Sequence, residues 1–248
     1  MAEAGTAAVD LLLGGRVRLF QPEIGYRVAI DPVLLAASVP ATAEDTAVEL
    51  GSGTGAAALC LAARVPGCQV IGLERRADFV ALARRSARDS SVADRVRFVE
   101  GDLADAAGRL GAGRFDHVLA NPPHRRPEET APPLHPQRAA AYVEAEAGLA
   151  DWVRAMLALA RPHGSLTLIH RADRLAEVLG AFDGAPGAIT IFPLWPKEGR
   201  PAKRVIVQAR KGRRGPTTLA SGLVLHEADG RFTAAAESVL RHGAALGL

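Results

Sequence analysis

The stretch Thr46-Ala47-Val48-Glu49-Leu50-Gly51-Ser52-Gly53-Thr54-Gly55 joins a short apolar run to a turn that contains three alternating glycines. Glycine permits positive φ and lets a ligand approach the backbone closely, so such a turn after a strand is typical of a nucleotide-binding loop. A helix is predicted to follow over 56–65 and to end at Pro66-Gly67. This order of strand, loop and helix indicates the start of an α/β domain.

Strands and helices are predicted to alternate along most of the chain. The predicted strands are 46–50, 69–73, 96–99, 115–120 and 165–170, and the predicted helices are 56–65, 78–90, 137–160 and 172–182. Such spacing favours βαβ units and a parallel sheet with helices on both faces. Two further strands, 189–192 and 204–209, have no helix between them and should form an antiparallel hairpin at the sheet edge. The predicted fold class is a doubly wound, Rossmann-like α/β fold with a mostly parallel seven-stranded sheet.

We expect three parts in the chain: an irregular N-terminal lobe at 1–45, a core domain at 46–211 and a small strand-and-helix tail at 212–248. Within the lobe, Asp31-Pro32 predicts a helix start with Asp31 as the N-cap. The segment 125–136 holds four prolines and is predicted to be a loop beside the site.

Composition narrows the class of protein. The 248 residues are 48% hydrophobic, but no apolar run reaches the roughly 18 residues of a membrane span and no secretory signal is evident. The expectation is a cytoplasmic monomer. Cys60 and Cys68 should be small buried side chains, and the histidines show no metal-binding spacing.

The chain has a net charge of +3, and its positive residues cluster. Arg125-Arg126 and the stretch 197–214 are candidate contacts to the phosphates of an RNA partner. Plain solvation of a surface is the alternative interpretation.

The cofactor is predicted from the acids that follow the strands. The loop is neither Gly-x-Gly-x-x-Gly nor a phosphate-binding loop ending in Gly-Lys-Ser/Thr, and Glu49 would repel a pyrophosphate. A cationic amino-acid moiety would suit Glu49, which favours S-adenosylmethionine (SAM). Glu74 is placed to accept from ribose hydroxyls and Asp102 from the adenine amine, although both could be helix caps only. The predicted cofactor-binding set is Asp31, Glu49, Gly51, Ser52, Gly53, Gly55, Glu74, Asp102, Leu103 and Asn121.

A second motif, Asn121-Pro122-Pro123, directly ends the fourth predicted strand. The prolines fix the backbone and remove two N–H donors. The Asn121 side-chain oxygen and the Pro122 carbonyl can then hold a planar amine with its lone pair directed at a methyl group. A structural turn is the alternative. The predicted catalytic residues are Asn121, Pro122, Pro123 and His124.

The chain resembles the class I methyltransferases that modify planar nitrogens, whose motif is (Asn/Asp/Ser)-Pro-Pro-(aromatic). Within them it is similar to the bacterial tRNA(Val) adenine-N6 methyltransferase family. The resemblance is carried by Gly15 to Phe20, Ile30 to Leu35, the glycine loop, Asn121-Pro122-Pro123, Trp195-Pro196-Lys197 and Lys203 to Val207. It implies SAM as cofactor and methylation of the adenine just 3′ of the anticodon, with tRNA as partner.

One position departs from the family pattern, because His124 stands where the family has an aromatic residue that stacks on the target base. Imidazole offers less stacking area. Three alternatives therefore stay open. The chain could be a glutamine-N5 protein methyltransferase, although those enzymes carry a substantial helical N-terminal domain. It could be a DNA adenine methyltransferase, although there is little room for a recognition domain. It could also be a SAM- or RNA-binding homologue that has lost activity.

Overall fold

The structure is a computed structural model that describes residues 7–23, 28–124, 147–183 and 188–248. In these ranges the strands are β1 (Ala7–Leu12), β2 (Val17–Pro22), β3 (Thr46–Leu50), β4 (Gln69–Glu74), β5 (Val96–Glu100), β6 (Phe115–Ala120), β7 (Ala160–Arg171), β8 (Ile189–Lys197), β9 (Arg204–Arg210), β10 (Thr218–Leu219) and β11 (Leu223–His226). The α-helices are α1 (Asp31–Ser38), α2 (Ala56–Arg64), α3 (Ala77–Asp89), α4 (Ala106–Leu110), α5 (Leu149–Leu159), α6 (Leu175–Ala181) and α7 (Ala234–His242). None of these helices is long and apolar enough to cross a membrane.

The main sheet has nine strands in the order β10-β8-β9-β7-β6-β3-β4-β5, with β11 also paired to β8. Strands β3 to β7 are parallel to their neighbours in this group, whereas β9 is antiparallel to both β7 and β8. Consecutive parallel strands are linked by helices, as expected of a doubly wound fold. The predicted fold class is therefore confirmed.

The sheet separates two hydrophobic cores. Alternate residues of a strand point to opposite faces, so Ala47 packs into one core and Val48 into the other. The first core contains side chains of α1, α2, α3 and α7, and the second contains side chains of α4, α5 and α6. Because both faces are covered, the central strands are mostly apolar, although buried polar residues such as Asp116 and His117 interrupt β6.

The predicted strand count of seven is wrong, because β10 and β11 add to the sheet. Both pair parallel to β8, so the β8–β9 hairpin does not form the sheet edge on that side. The predicted tail strand and helix are present, but β11 belongs to the main sheet. Strand β8 also continues to Lys197, beyond its predicted end at residue 192.

The N-terminal lobe, expected to be irregular, contains a regular hairpin of β1 with β2. The alternation from Arg16 to Phe20 predicts a short strand, which β2 confirms, whereas β1 was not expected. Asp31 is not an N-cap: Ile30 occupies that position, and the Asp31 carboxylate accepts from Arg204 Nε at 2.8 Å. The capping prediction is wrong because a charged partner from β9 binds the carboxylate, and no side chain caps the helix. Helix α4 was also absent from the sequence-based expectation.

Candidate active site

A cavity of about 800 Å³ lies at the carboxyl ends of β3, β4, β5 and β6. Ligands bind at this edge of open α/β sheets, and the volume suits a nucleoside-sized ligand. Most predicted site residues line it: Glu49, Gly51, Ser52, Gly53, Glu74, Asp102, Leu103, Asn121, Pro122, Pro123 and His124. Asp31 and Gly55 do not line the cavity.

The glycine loop is shaped by close packing as well as by positive φ. Gly51 has φ +62°, and a Cβ there would lie 2.5 Å from the Trp152 ring. Gly55 has φ +89° and caps α2, with the Phe98 ring where its Cβ would stand. Gly51 therefore lets Trp152 close one wall of the cavity, whereas the role of Gly55 is structural.

The loop amides are already partly used within the protein. Ser52 N–H donates to the Leu73 carbonyl at 2.9 Å, and Gly53 N–H donates to Glu74 Oε2 at 2.8 Å. A phosphate-binding loop keeps such donors directed at its ligand. These bonds therefore agree with the prediction that the loop does not bind pyrophosphate.

Glu74 and Asp102 each combine a structural contact with a place at the cavity. Glu74 is buried and also accepts from Arg76 N–H at 2.9 Å. Each carboxylate oxygen has two lone pairs, so both oxygens of Glu74 can still accept from a ribose. Asp102 Oδ1 accepts from Ala104 N–H at 2.9 Å and caps a short 3₁₀ turn. Their roles toward a ligand stay predictions.

Glu49 lies at the end of β3 with only 3% of its surface exposed. Burial, reinforced by repulsion from Glu74, raises the pKa of Glu49 to about 8, although the Ala58 N–H that donates to Oε2 opposes the shift. A cationic ligand is favoured beside a buried carboxyl group of this kind, because an ammonium group would stabilise the charged form of the carboxyl.

Replacing Glu49 with glutamine should stabilise the ligand-free protein at high pH. The folded protein holds the Glu49 proton up to about pH 8, whereas an unfolded glutamate releases it near its ordinary value of 4.5. The stability of the wild-type protein should therefore decrease between about pH 4.5 and pH 8. The Glu49→Gln variant should not show the part of this decrease that comes from Glu49. Thermal melts between these pH values measure it. SAM affinity should nevertheless weaken by about tenfold.

Glu100→Gln is the matched control for this substitution, because Glu100 is an exposed glutamate at the end of β5. It should melt like the wild-type protein at every pH. A Glu49→Gln variant whose melting temperature differs from wild type by the same amount at low and high pH would contradict the role of the buried carboxyl.

Asn121 directly follows β6 at the cavity. Its Oδ1 is buried and has no hydrogen-bond partner among the described residues. A buried acceptor left without a partner costs about 1–3 kcal/mol, so this oxygen is poised to receive a ligand N–H. The motif backbone is fixed from behind, because His170 Nε2 lies 3.3 Å from the Pro123 carbonyl oxygen.

His124 is enclosed by polar neighbours rather than presented as an open ring. Its Nε2 lies 3.5 Å from Asp31 Oδ2, and its side chain is 13% exposed. The His170 ring stands nearly perpendicular to it at 5.1 Å between centroids. His124 thus occupies the place of the family's aromatic residue while it is paired to a carboxylate.

Sequence reasoning missed many of the residues that line the cavity, among them Phe79, Trp152 and Arg76. The Arg76 guanidinium lies 3.8 Å from the centroid of the Phe79 ring, which orients both side chains in the wall. Trp152 Nε1 is buried without a hydrogen-bond partner among the described residues. Aromatic residues form only 4% of the chain, so their positions were a usable signal, but helical spacing explains them equally well as core.

The basic residues of the stretch 197–214 lie at both ends of the strands, and only one of these ends is near the cavity. In the β7–β9 ladder, Arg204 is the register partner of Arg171 at the end near the cavity. Arg210 is the register partner of Ser165 at the other end of the ladder. Lys211 Nζ donates to the Leu157 and Ala160 carbonyls, so it is occupied within the protein. The role of this stretch in phosphate contacts stays a prediction. Arg125, Arg126 and the predicted loop 125–136 lie outside the described residues.

The residues present fit S-adenosylmethionine. Its ammonium, ribose hydroxyls and adenine amine are donors, and Glu49, Glu74 and Asp102 supply acceptors around the cavity. The unpartnered Trp152 indole N–H suits a carboxylate oxygen. These contacts are the ones that we would assign to the bound cofactor.

Comparisons with known proteins agree with this chemistry. A family model described as a methyltransferase domain matches residues 47–135. The tRNA1(Val) (adenine(37)-N6)-methyltransferase of Porphyromonas gingivalis is 33% identical over 178 residues, which are 68% of this chain and 68% of that protein. The enzyme of the same name from Actinobacillus succinogenes is 27% identical over 219 residues, 88% of this chain and 90% of that protein.

Two other matches are partial or differently named. The release factor glutamine methyltransferase of Chlorobaculum tepidum is 36% identical over 115 residues, but these cover only 44% of this chain and 38% of that protein. The crystal structure of a predicted O-methyltransferase, protein Atu636 from Agrobacterium tumefaciens, superposes with a TM-score of 0.73 at 28% identity, over 87% of this chain and 98% of that chain.

Similarity to the glutamine methyltransferase is restricted to less than half of either chain, whereas similarity to the tRNA1(Val) enzymes extends over most of both. The family and the residues that line the cavity both indicate S-adenosylmethionine as the cofactor. The chain is therefore a SAM-dependent class I methyltransferase and belongs to the tRNA1(Val) (adenine(37)-N6)-methyltransferase family.

Proposed function

We propose that the chain transfers a methyl group from SAM to the exocyclic N6 amine of an adenine in tRNA, next to the anticodon. The observation that carries this proposal is the buried Asn121 Oδ1, which lines the cavity without a hydrogen-bond partner among the described residues. An amide oxygen accepts from an N–H donor, and a planar –NH2 group provides one. The names of the relatives support adenine as the source of that amine.

The residues of this chain act mainly by positioning. SAM supplies a methyl group on a cationic sulfur. Asn121 Oδ1 and the Pro122 carbonyl hold the amine so that its lone pair is directed at that carbon. Alignment of two reactants in this way is worth effective molarities of roughly 10⁵–10⁸ M. The His170 contact to the Pro123 carbonyl keeps the motif in place during the reaction.

The acceptor adenine must leave its base stack to reach Asn121. Unstacking is least costly in a single-stranded loop, which favours the anticodon loop over a duplex. Lys203, exposed before β9, stands on the cavity side of the sheet and is our candidate for a phosphate contact. We expect a cytoplasmic monomer.

Methyl transfer to a protein glutamine is the second candidate, because the Chlorobaculum tepidum relative shares the core. A carboxamide is also a planar amine that Asn121 could hold. The extent of the similarity argues against it.

The experiment is methyl transfer from SAM with a labelled methyl group to three acceptors: unmodified tRNA, a release factor and duplex DNA. The proposal expects label in tRNA and, after digestion, in N6-methyladenosine. Label in the release factor alone would establish the second candidate. SAM binding without transfer to any acceptor would show that the chain has lost its activity.

A further inference from the structure

The hydrogen on the His124 ring can be placed from its neighbours. Its Nε2 faces Asp31 Oδ2 at 3.5 Å, and Arg204 Nε donates to the same oxygen at 2.8 Å. A carboxylate oxygen only accepts, so Nε2 is the nitrogen that carries the hydrogen. His124 Nδ1 then has a bare lone pair. This atom is buried and has no hydrogen-bond partner among the described residues.

Asp31 and His170, which lie beside His124, each have a defined charge near pH 7. Burial would raise the pKa of Asp31, but the hydrogen bonds from His124 and Arg204 outweigh burial and lower it, so Asp31 is ionised. Burial, helped by His124 and Arg174, lowers the pKa of His170 to about 4, so His170 is neutral near pH 7. Arg174 Nη1 approaches the His124 carbonyl at 3.5 Å.

The reaction leaves a proton that needs an acceptor. After the methyl group is transferred, the amine nitrogen is cationic and carries one hydrogen too many. Asn121 Oδ1 and the Pro122 carbonyl are amide oxygens and therefore weak bases. His124 follows them in the chain and lines the same cavity, and an imidazole exchanges protons near neutral pH.

We propose that His124, oriented by Asp31, is the base that removes this proton, an inference that rests on the proposed N6 methylation. The amine nitrogen bonds to the methyl carbon while the carbon–sulfur bond breaks and its electron pair stays on sulfur. His124 Nδ1 next bonds to a hydrogen of that nitrogen, and the electrons of the broken N–H bond return to nitrogen. Asp31 stabilises the resulting imidazolium, which releases the proton to water.

His124→Phe distinguishes a base from a stacking surface, because it restores the aromatic ring and removes both ring nitrogens. N6-methyladenosine formation is measured in single turnovers at saturating SAM and at one pH, since Glu49 titrates near pH 8. His124→Phe should be about 10–100-fold slower than the wild-type protein, while its Kd for tRNA without SAM stays unchanged or tightens.

Asp31→Asn removes the anion that stabilises the imidazolium, so it should also slow the reaction. His242→Phe is the matched control, because His242 is exposed at the end of α7. It should keep the wild-type rate. A His124→Phe variant with the wild-type rate would overturn the proposal, whereas a wild-type protein that makes no N6-methyladenosine would overturn the proposed function itself.

The ring tautomer gives a test that needs no activity. In the ligand-free protein, ¹⁵N spectra of the histidine side chains should show His124 protonated at Nε2 and bare at Nδ1. Asp31→Asn should weaken this preference, and His242→Phe should leave it unchanged. A hydrogen on Nδ1 in the wild-type protein would overturn the proposal whatever the enzyme methylates.

Discussion

Replacing Asn121 with alanine is expected to lower the rate of methyl transfer to tRNA by about 10²–10³-fold, the range seen when one positioned hydrogen-bonding group is removed from an active site. The reason is that Asn121 Oδ1 is a buried acceptor with no partner in the described protein, so its bond to the amine forms only when the substrate is bound. Single-turnover rates at saturating SAM measure the effect.

The loss should be confined to the chemical step. Kd for SAM, measured by calorimetry, should change by no more than about threefold, since the carboxylates assigned to the cofactor are untouched. Asn121→Asp keeps an acceptor at the same place and should retain more activity than the alanine variant. An alanine variant that turns over at the wild-type rate would refute the role of Asn121.

The second large effect is expected at Glu74, where alanine should raise Kd for SAM by about 30–100-fold, because two hydrogen bonds to a charged acceptor are lost. The same carboxylate also accepts from Gly53 and Arg76 N–H, so its removal loosens the glycine loop as well. At saturating SAM the turnover should recover most of its wild-type value, which is the reverse of the Asn121 result. Calorimetry and a SAM titration of the rate measure both quantities.

Glu100→Ala is the control for this prediction. Glu100 is the register partner of Glu74 on β5, but it is exposed and does not line the cavity. Its removal should leave SAM affinity unchanged. Equal weakening by the two substitutions would mean that strand-end charge in general, and not the Glu74 carboxylate, controls binding.

The sequence predicts the central strands and the cavity edge well for physical reasons. Buried parallel strands are rich in apolar residues, so the predicted bounds of β3 and β6 match those of the structure. Their carboxyl ends must meet at one edge, which brings Glu49 and Asn121 to one cavity. The domain boundaries at 45 and 211 stay predictions.

Contacts between distant parts of the chain were not predictable in this way. The pairing of Asp31 with His124 and Arg204 depends on how β9 lies against β7, and no local pattern encodes that register. The same register carries Arg210 to the far edge of the sheet, away from the cavity. Trp152 follows a helical apolar spacing that predicts core, and only its approach to Gly51 makes it a cavity wall.

Methylation of an adenine amine of tRNA through Asn121 is tested most directly by mass spectrometry of tRNA nucleosides. The nucleosides come from a strain that lacks the protein, complemented with either the wild-type or the Asn121→Ala chain. We expect N6-methyladenosine next to the anticodon to disappear in the deletion strain, to return with the wild-type chain and to stay absent with the variant. An unchanged N6-methyladenosine level in the deletion strain would contradict this expectation.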